Sequence, residues 1–286
     1  MEPLWPPPDS RTAAPAAPSS LPQILDTAFD LLRRNGPLLV GLAALVYVPL
    51  AFATMAGLPG GSSGRPAAEP ASWALAALAL AVVALPIVLS GLTDTCGALL
   101  RGREVDAGQA LRTGLVLALP LVATLFVVAC AMVAALAPLG LVILWGDSLP
   151  TLLQVAATIG TLLLPIVLML RLSLLSQVVV LERVFGPRAL LRAHRLVEGQ
   201  VLRVFGILFL VSLLMGFLAA AAEFALRDLP GVGPAATGLI QAVGFAYTTA
   251  VGVVLYADVR ARRNEREDWR VAADPPSRDR TLPPGV

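Results

Sequence analysis

Few residues in this chain carry side chains able to do chemistry. Its 286 residues include one histidine, His194, and two cysteines, Cys96 and Cys130. A single imidazole has no partner for a metal site. The cysteines lack metal-ligand spacing and fall at different depths of separate apolar stretches, which argues against a disulfide. No phosphate-binding glycine loop, dinucleotide fingerprint or nucleic-acid-binding module is present, so neither a cofactor nor a nucleic-acid partner is implied. Gly61-Ser62-Ser63-Gly64 matches the short serine motif of intramembrane proteases. It falls in a loop on the face opposite His194, which separates nucleophile from base.

What remains is a set of polar groups inside or beside apolar segments. Asp94, Arg171, Ser173, Ser176, Gln177 and Glu182 are the intramembrane polar candidates, since such residues are expensive in hydrocarbon and tend to face a bundle interior or a cavity. Arg188, Arg192 and Arg195 form a second group. On a helical wheel they share one narrow arc, opposite Ala189, Leu190, Ala193, Leu196 and Val197. A basic amphipathic helix of this kind suits anionic headgroups, each arginine gaining about 1 kcal/mol at such a surface.

The elements that must position these groups follow from composition. The chain is 57% hydrophobic and 14% charged, with a mean hydropathy of +0.80, whereas soluble domains carry about a quarter charged residues. Charges are absent from 35–64, 70–93, 113–146, 148–170, 204–222 and 229–257. A helix needs about 20 residues to cross a hydrocarbon core, so these stretches predict six transmembrane helices in an all-α bundle. The expected organisation is a disordered proline-rich tail over 1–19, a six-span membrane domain over 20–258, and a tail over 259–286 that is first helical and then disordered. Met1-Glu2-Pro3-Leu4-Trp5 lacks the basic start of a cleaved signal peptide. The absence of lysine, with all 21 basic residues arginine, reads as the bias of a GC-rich coding sequence.

Ser20 and Gln23 are spaced as a capping box, opening an amphipathic helix over Leu21 to Arg34 that is expected to lie on the membrane surface. Asp30 is spaced to pair with Arg34. Spans one to three are expected near 37–56, 71–92 and 114–137, with Leu58 to Pro70 and Leu139 to Pro150 as outer loops. Span four starts near Thr151, kinks at Pro165 and continues to about Leu181. A surface helix then precedes span five (about 201–222) and span six (about 236–256). Surface helix, span, span thus occurs three times, and Leu31-Leu32-Arg33, Ala110-Leu111-Arg112 and Leu190-Leu191-Arg192 recur at a near-constant spacing, suggesting a threefold repeat about the membrane normal.

Arginine placement sets the orientation. Arg11, Arg33 and Arg34, then Arg101, Arg103 and Arg112, then Arg183, Arg188, Arg192 and Arg195, then seven arginines from Arg260 onward, all fall on one side, against Arg65 and Arg227 on the other. The positive-inside rule puts both termini in the cytoplasm.

Val178-Val-Val-Leu181-Glu182, Gly186-Pro187 and Ala189 through Gly199 resemble the signature of the bacterial glycerophosphoryl diester phosphodiesterase membrane-domain family. Ile24 to Phe29 with Leu32 to Asn35 resembles that family's opening helix, and Tyr256-Ala257-Asp258-Val259-Arg260 its end. The resemblance covers about 21–263. Ala193 and His194 stand where the family tends to show serine and an aromatic residue, which leaves His194 as amphipathic filler. The resemblance implies a bacterial cytoplasmic-membrane protein. It does not imply diesterase activity, because that activity belongs to a separate soluble barrel with acidic residues and histidines that this chain lacks.

The expected function is therefore a non-enzymatic accessory or scaffold protein of the membrane, contacting lipid, in particular anionic lipid, and possible membrane-protein partners. The alternative is a transporter or lipid-handling protein, motivated by Pro86, Pro165 and the row Arg171, Ser173, Ser176, Gln177. A water-filled cavity along that row would favour transport and a solid bundle the accessory role. Arg171, eleven residues before Glu182 on a continuous helix, is expected about 16 Å up the span, facing inward and reaching Asp94.

Overall fold

The structure, a computed structural model, describes residues 20–56, 70–145, 150–226 and 232–262. The terminal tails, the loop with Gly61–Gly64 and Arg65, the residues Gly146 and Asp147, and Arg227 lie outside the described residues. Eight helices follow in order: α1 (Leu21–Ala56), α2 (Pro70–Leu100), α3 (Ala107–Trp145), α4 (Thr151–Arg171), α5 (Leu175–Leu181), α6 (Pro187–Val197), α7 (Val201–Leu226) and α8 (Val232–Arg262). No strand occurs among the described residues. Six segments are long and apolar enough to cross a membrane, the fourth running from Thr151 through α5 to Leu181. The chain is a polytopic all-α bundle.

Local chemistry explains where helices begin and end. At α1 the Ser20 amide donates to Gln23 Oε1 at 2.8 Å, one half of a capping box. The α2 terminus closes as a Schellman motif, because Gly102 takes φ +75° while the amides of Gly102 and Arg103 donate to the carbonyls of Leu99 and Ala98 at 2.9 and 3.0 Å. Asp106 then caps α3, its carboxylate accepting the Gly108 amide at 3.0 Å. Gly186, at φ +65°, turns the chain into Pro187, whose ring suits the first turn of α6.

Several boundaries differ from those expected. The segment Leu21 to Arg34 is not a detached surface helix; it is continuous with span one across a kink at Asn35, ahead of Gly36 and Pro37. Pro37 has no amide proton to donate back, which breaks the ladder there. Its residues Ile24, Ala28 and Leu31 are buried in the protein's own core, and the Leu25 carbonyl accepts from the Tyr247 hydroxyl at 3.4 Å. Of the large apolar residues in this segment, Leu21 and Phe29 stay outward. Leu139 to Trp145, expected as loop, continues α3, since an apolar backbone in hydrocarbon keeps its polar groups bonded within the helix. Span four is interrupted at Leu172–Leu174 before α5. Asp258 and Val259, placed at a domain edge, are buried within α8.

Packing centres on α1, α2 and α8, with α3 against α2, α4 against α3, and α7 against α8. Small residues bring these helices close. A Cβ on Gly238 would stand 2.7 Å from the Val48 Cα, and one on Gly91 would stand 2.9 Å from the Ala110 carbonyl oxygen. A Cβ on Gly114 would collide with the Ile87 carbonyl oxygen, and across the same contact the Ser90 hydroxyl reaches the Gly114 carbonyl at 2.9 Å. The three junctions between lead helix and span are unlike one another: a kink at Asn35, no break before Gly114, and a full break at Gly199 with φ +83°. All three triplets lie within helices, so what differs is the junction that follows each.

Gly114→Leu is expected to push α2 and α3 apart and cost about 2 kcal/mol or more, read as a lower melting temperature in detergent. Gly160→Leu, where an added Cβ meets nothing within 4 Å, should melt with the parent. Indistinguishable melting of the two variants would refute the close contact.

Candidate functional site

The alternation of helices gathers the polar side chains at one end of the bundle, where α1 begins, α2 hands over to α3, α5 leads through α6 to α7, and α8 ends. Three buried or half-buried carboxylates organise it. Glu182, just past α5, accepts from Arg192 Nε of α6 at 2.9 Å and from the Tyr256 hydroxyl of α8 at 2.6 Å. Tyr256 in turn accepts from Arg260 Nη1 at 3.2 Å. Asp258, with a side chain 0% exposed, takes Arg203 Nη1 of α7 and Arg262 Nε of α8 on the same oxygen, each at 2.9 Å. Asp94, near the end of α2, lies within the field of Arg183, Arg101 and Arg103.

Arg101 bears part of the cost of this crowding. Burial lowers its pKa, the Asp94 carboxylate opposes that, and Arg103 and Arg183 add to the lowering. An arginine has enough margin to stay charged through it. Arg183 has φ +54°, the only positive φ of a non-glycine residue among the described residues, so the backbone carries strain where the chain leaves α5.

Two expectations change here. Arg171 is not inside the bundle and does not meet Asp94. It is exposed at the end of α4, and its Nη1 stands 2.9 Å from Nε2 and 3.2 Å from Nδ1 of His194 on α6. The reason is the turn over Leu172–Leu174, which ends α4 and redirects the chain before α5 packs inward. Arg192 keeps its place on the arc with Arg188 and Arg195, but Glu182 draws its guanidinium back toward the bundle. That leaves Arg188 and Arg195 as the exposed pair. The apolar side of α6, Ala189, Ala193, Leu196 and Val197, is buried in the protein.

The row Arg171, Ser173, Ser176, Gln177 does not line one cavity. Gln177 is buried, its amide lying where a Cβ on Gly252 would fall, and it accepts from the Ser176 hydroxyl at 3.0 Å. Ser173 Oγ is buried with no hydrogen-bond partner among the described residues. A groove of about 200 Å³ does exist, but between α1 and the end of α2, lined by Gln23, Asp26, Asp30, Arg34, Leu99 and Leu100 among others. Among the described residues no cluster of histidine, cysteine and carboxylates is arranged to hold a metal ion.

Sequence reasoning missed Arg203, Tyr256, Asp258, Arg260 and Arg262 as parts of this network. One signal was available: Asp258 and Arg262 are one helical turn apart beside an uncharged span. The role of His194 had no such signal, since its partner lies 23 residues away on another helix. No known protein family, curated protein or solved structure matches this chain.

Asp258→Asn is expected to destabilise the protein more than Arg203→Gln or Arg262→Gln, because it removes the charge both guanidiniums share. A loss of about 2 kcal/mol, against less than half of that for either arginine alone, should appear in detergent unfolding. Equal losses from all three variants would reject Asp258 as the hub.

Proposed function

We propose that this protein is a non-enzymatic accessory or scaffold protein of the bacterial cytoplasmic membrane, related to the membrane domain of glycerophosphoryl diester phosphodiesterases, that holds anionic lipid at its basic end and presents that end to membrane partners. The observation that carries this reading is the seating of α6. Its apolar residues are buried in the bundle and Glu182 pins it through Arg192, so Arg188 and Arg195 are offered outward on a rigid support. Such a helix needs no refolding to engage headgroups, which lowers the entropic cost of contact. Phe185, 42% exposed, and Leu191, 59% exposed, lie among these arginines. Apolar side chains interleaved with cations match the boundary between headgroups and acyl chains. The packing of Gln177 against Gly252 favours the accessory reading over a transport pathway through the centre.

Spin-labelled lipids in reconstituted membranes would measure the preference. The wild-type protein should immobilise phosphatidylglycerol about two- to fivefold over phosphatidylcholine at low salt, with the ratio falling as salt rises. Arg188→Gln with Arg195→Gln should bring it close to one, while Arg192→Gln should lower stability instead. No preference in the wild type would reject the lipid reading.

Both termini are expected in the cytoplasm, on the arginine-rich side. In a background with Cys96→Ala and Cys130→Ala, Ser63→Cys should react with an impermeant thiol reagent applied to intact cells, and Arg278→Cys only after lysis. Labelling of position 278 from outside would overturn the orientation.

A further inference from the structure

Arg171 terminates a helix whose other exposed residues, among those the structure describes and Thr151 apart, are apolar. α4 has 21 residues, about 31 Å at 1.5 Å per residue, which equals one hydrocarbon thickness. α4 is therefore long enough to cross without α5, and a crossing by α4 alone would put its final residue at the level where ester and phosphate groups begin. The position agrees with its neighbour, because the ring that Arg171 touches belongs to α6, the basic helix. An arginine has donors and no acceptor, and neutral histidine accepts at one nitrogen only. Arg171 thus keeps most of its donors for something else. Among the described residues no carboxylate forms a salt bridge with Arg171, Arg188 or Arg195.

The apolar side of the same locality is equally open. Leu163, Leu164, Val167 and Met169 of α4 are exposed, and α4 packs only sparingly against α7. On α6, Leu191 falls between His194 and Arg195 around the helix and is exposed. Cations, an exposed leucine and an open apolar flank lie together in one place.

We propose that Arg171 and His194 form the headgroup site for a single anionic phospholipid. One phosphate is held by the Arg171 guanidinium and the His194 ring, with Arg195 beside them and Leu191 at the glycerol level. The acyl chains lie along Leu163, Leu164 and Val167 of α4, which share the face of the helix that carries Arg171. This rests on the lipid reading above but differs from it: Arg188 and Arg195 supply a diffuse preference, whereas Arg171 with His194 binds one molecule. A lipid is the occupant, not free phosphate, because the Arg171 and His194 pair sits at the end of a membrane-thick helix whose apolar side chains Leu163, Leu164 and Val167 are exposed.

The full chain in mild detergent, titrated with phosphatidylglycerol and examined by native mass spectrometry, tests the site. Wild type should retain one phosphatidylglycerol that is lost last on activation, while phosphatidylcholine is lost first. Arg171→Gln and His194→Ala should each weaken that first binding about tenfold, and Arg171→Lys should keep part of it. Arg188→Gln should leave the first lipid in place while lowering the annular preference. Melting temperatures establish that the variants are folded, and His194→Ala decides the matter if Arg171→Gln does not fold. Unchanged retention in folded Arg171→Gln and His194→Ala would overturn the site, as would equal retention of phosphatidylcholine. Competition by millimolar inorganic phosphate would overturn the lipid assignment. Loss of annular preference with retention of the single lipid would instead reject the broader reading and leave this site standing.

Discussion

A backbone amide inside hydrocarbon has no water to turn to, so each must be bonded within its own helix. The consequences run through the whole chain. Helices continue past residues that would end them in water, as α3 does through Leu139 to Trp145 and α1 through Pro49. Hydroxyls follow the same rule: Thr93, Thr161, Thr248 and Thr249 each donate to the carbonyl four residues earlier, at 2.7 to 2.8 Å. Thr124 does so to Pro120 and still accepts the Gly186 amide at 3.0 Å. That contact ties the entry of α6 to α3 and helps set where the basic helix sits.

Hydrocarbon supplies no hydrophobic force to press helix on helix, so association rests on close packing and on polar contacts. Both occur here in different places. Within the apolar layer, Gly91 against Gly114 and Gly238 against Val48 let backbones approach, and Tyr47 and Phe245 pack with ring centroids 5.1 Å apart. At the basic end, carboxylates do the joining. Glu182 connects the end of α5 to α6 and α8, and Asp258 connects α7 to α8. Single buried acids serving two donors fix which helix ends meet. They also free the arginines that no acid claims.

That division between claimed and unclaimed arginines separates structure from function. Arg192, Arg203 and Arg262 bond carboxylates inside the protein, and their removal is a matter of stability. Arg188, Arg195 and Arg171 face outward, and their removal is a matter of what the surface binds. All six are arginines in a chain without lysine, so residue type does not distinguish them. The acceptor within reach does.

What the sequence by itself determined was everything that depends on position along one helix or on burial by type. Uncharged stretches of sufficient length give the six spans, Ser20 with Gln23 gives the opening of α1, and the wheel of α6 gives its apolar face. These are local properties, set by neighbours within a few residues. Tertiary structure alone decided which arginine on that wheel turns inward, because Glu182, itself bonded by Tyr256 of α8, comes to Arg192 from beyond the end of α5. It alone broke the fourth span at Leu172–Leu174 and carried Arg171 to His194 instead of Asp94. Contacts of that kind depend on where separate helices end in space, and a three-residue turn is enough to move a guanidinium from one neighbour to another.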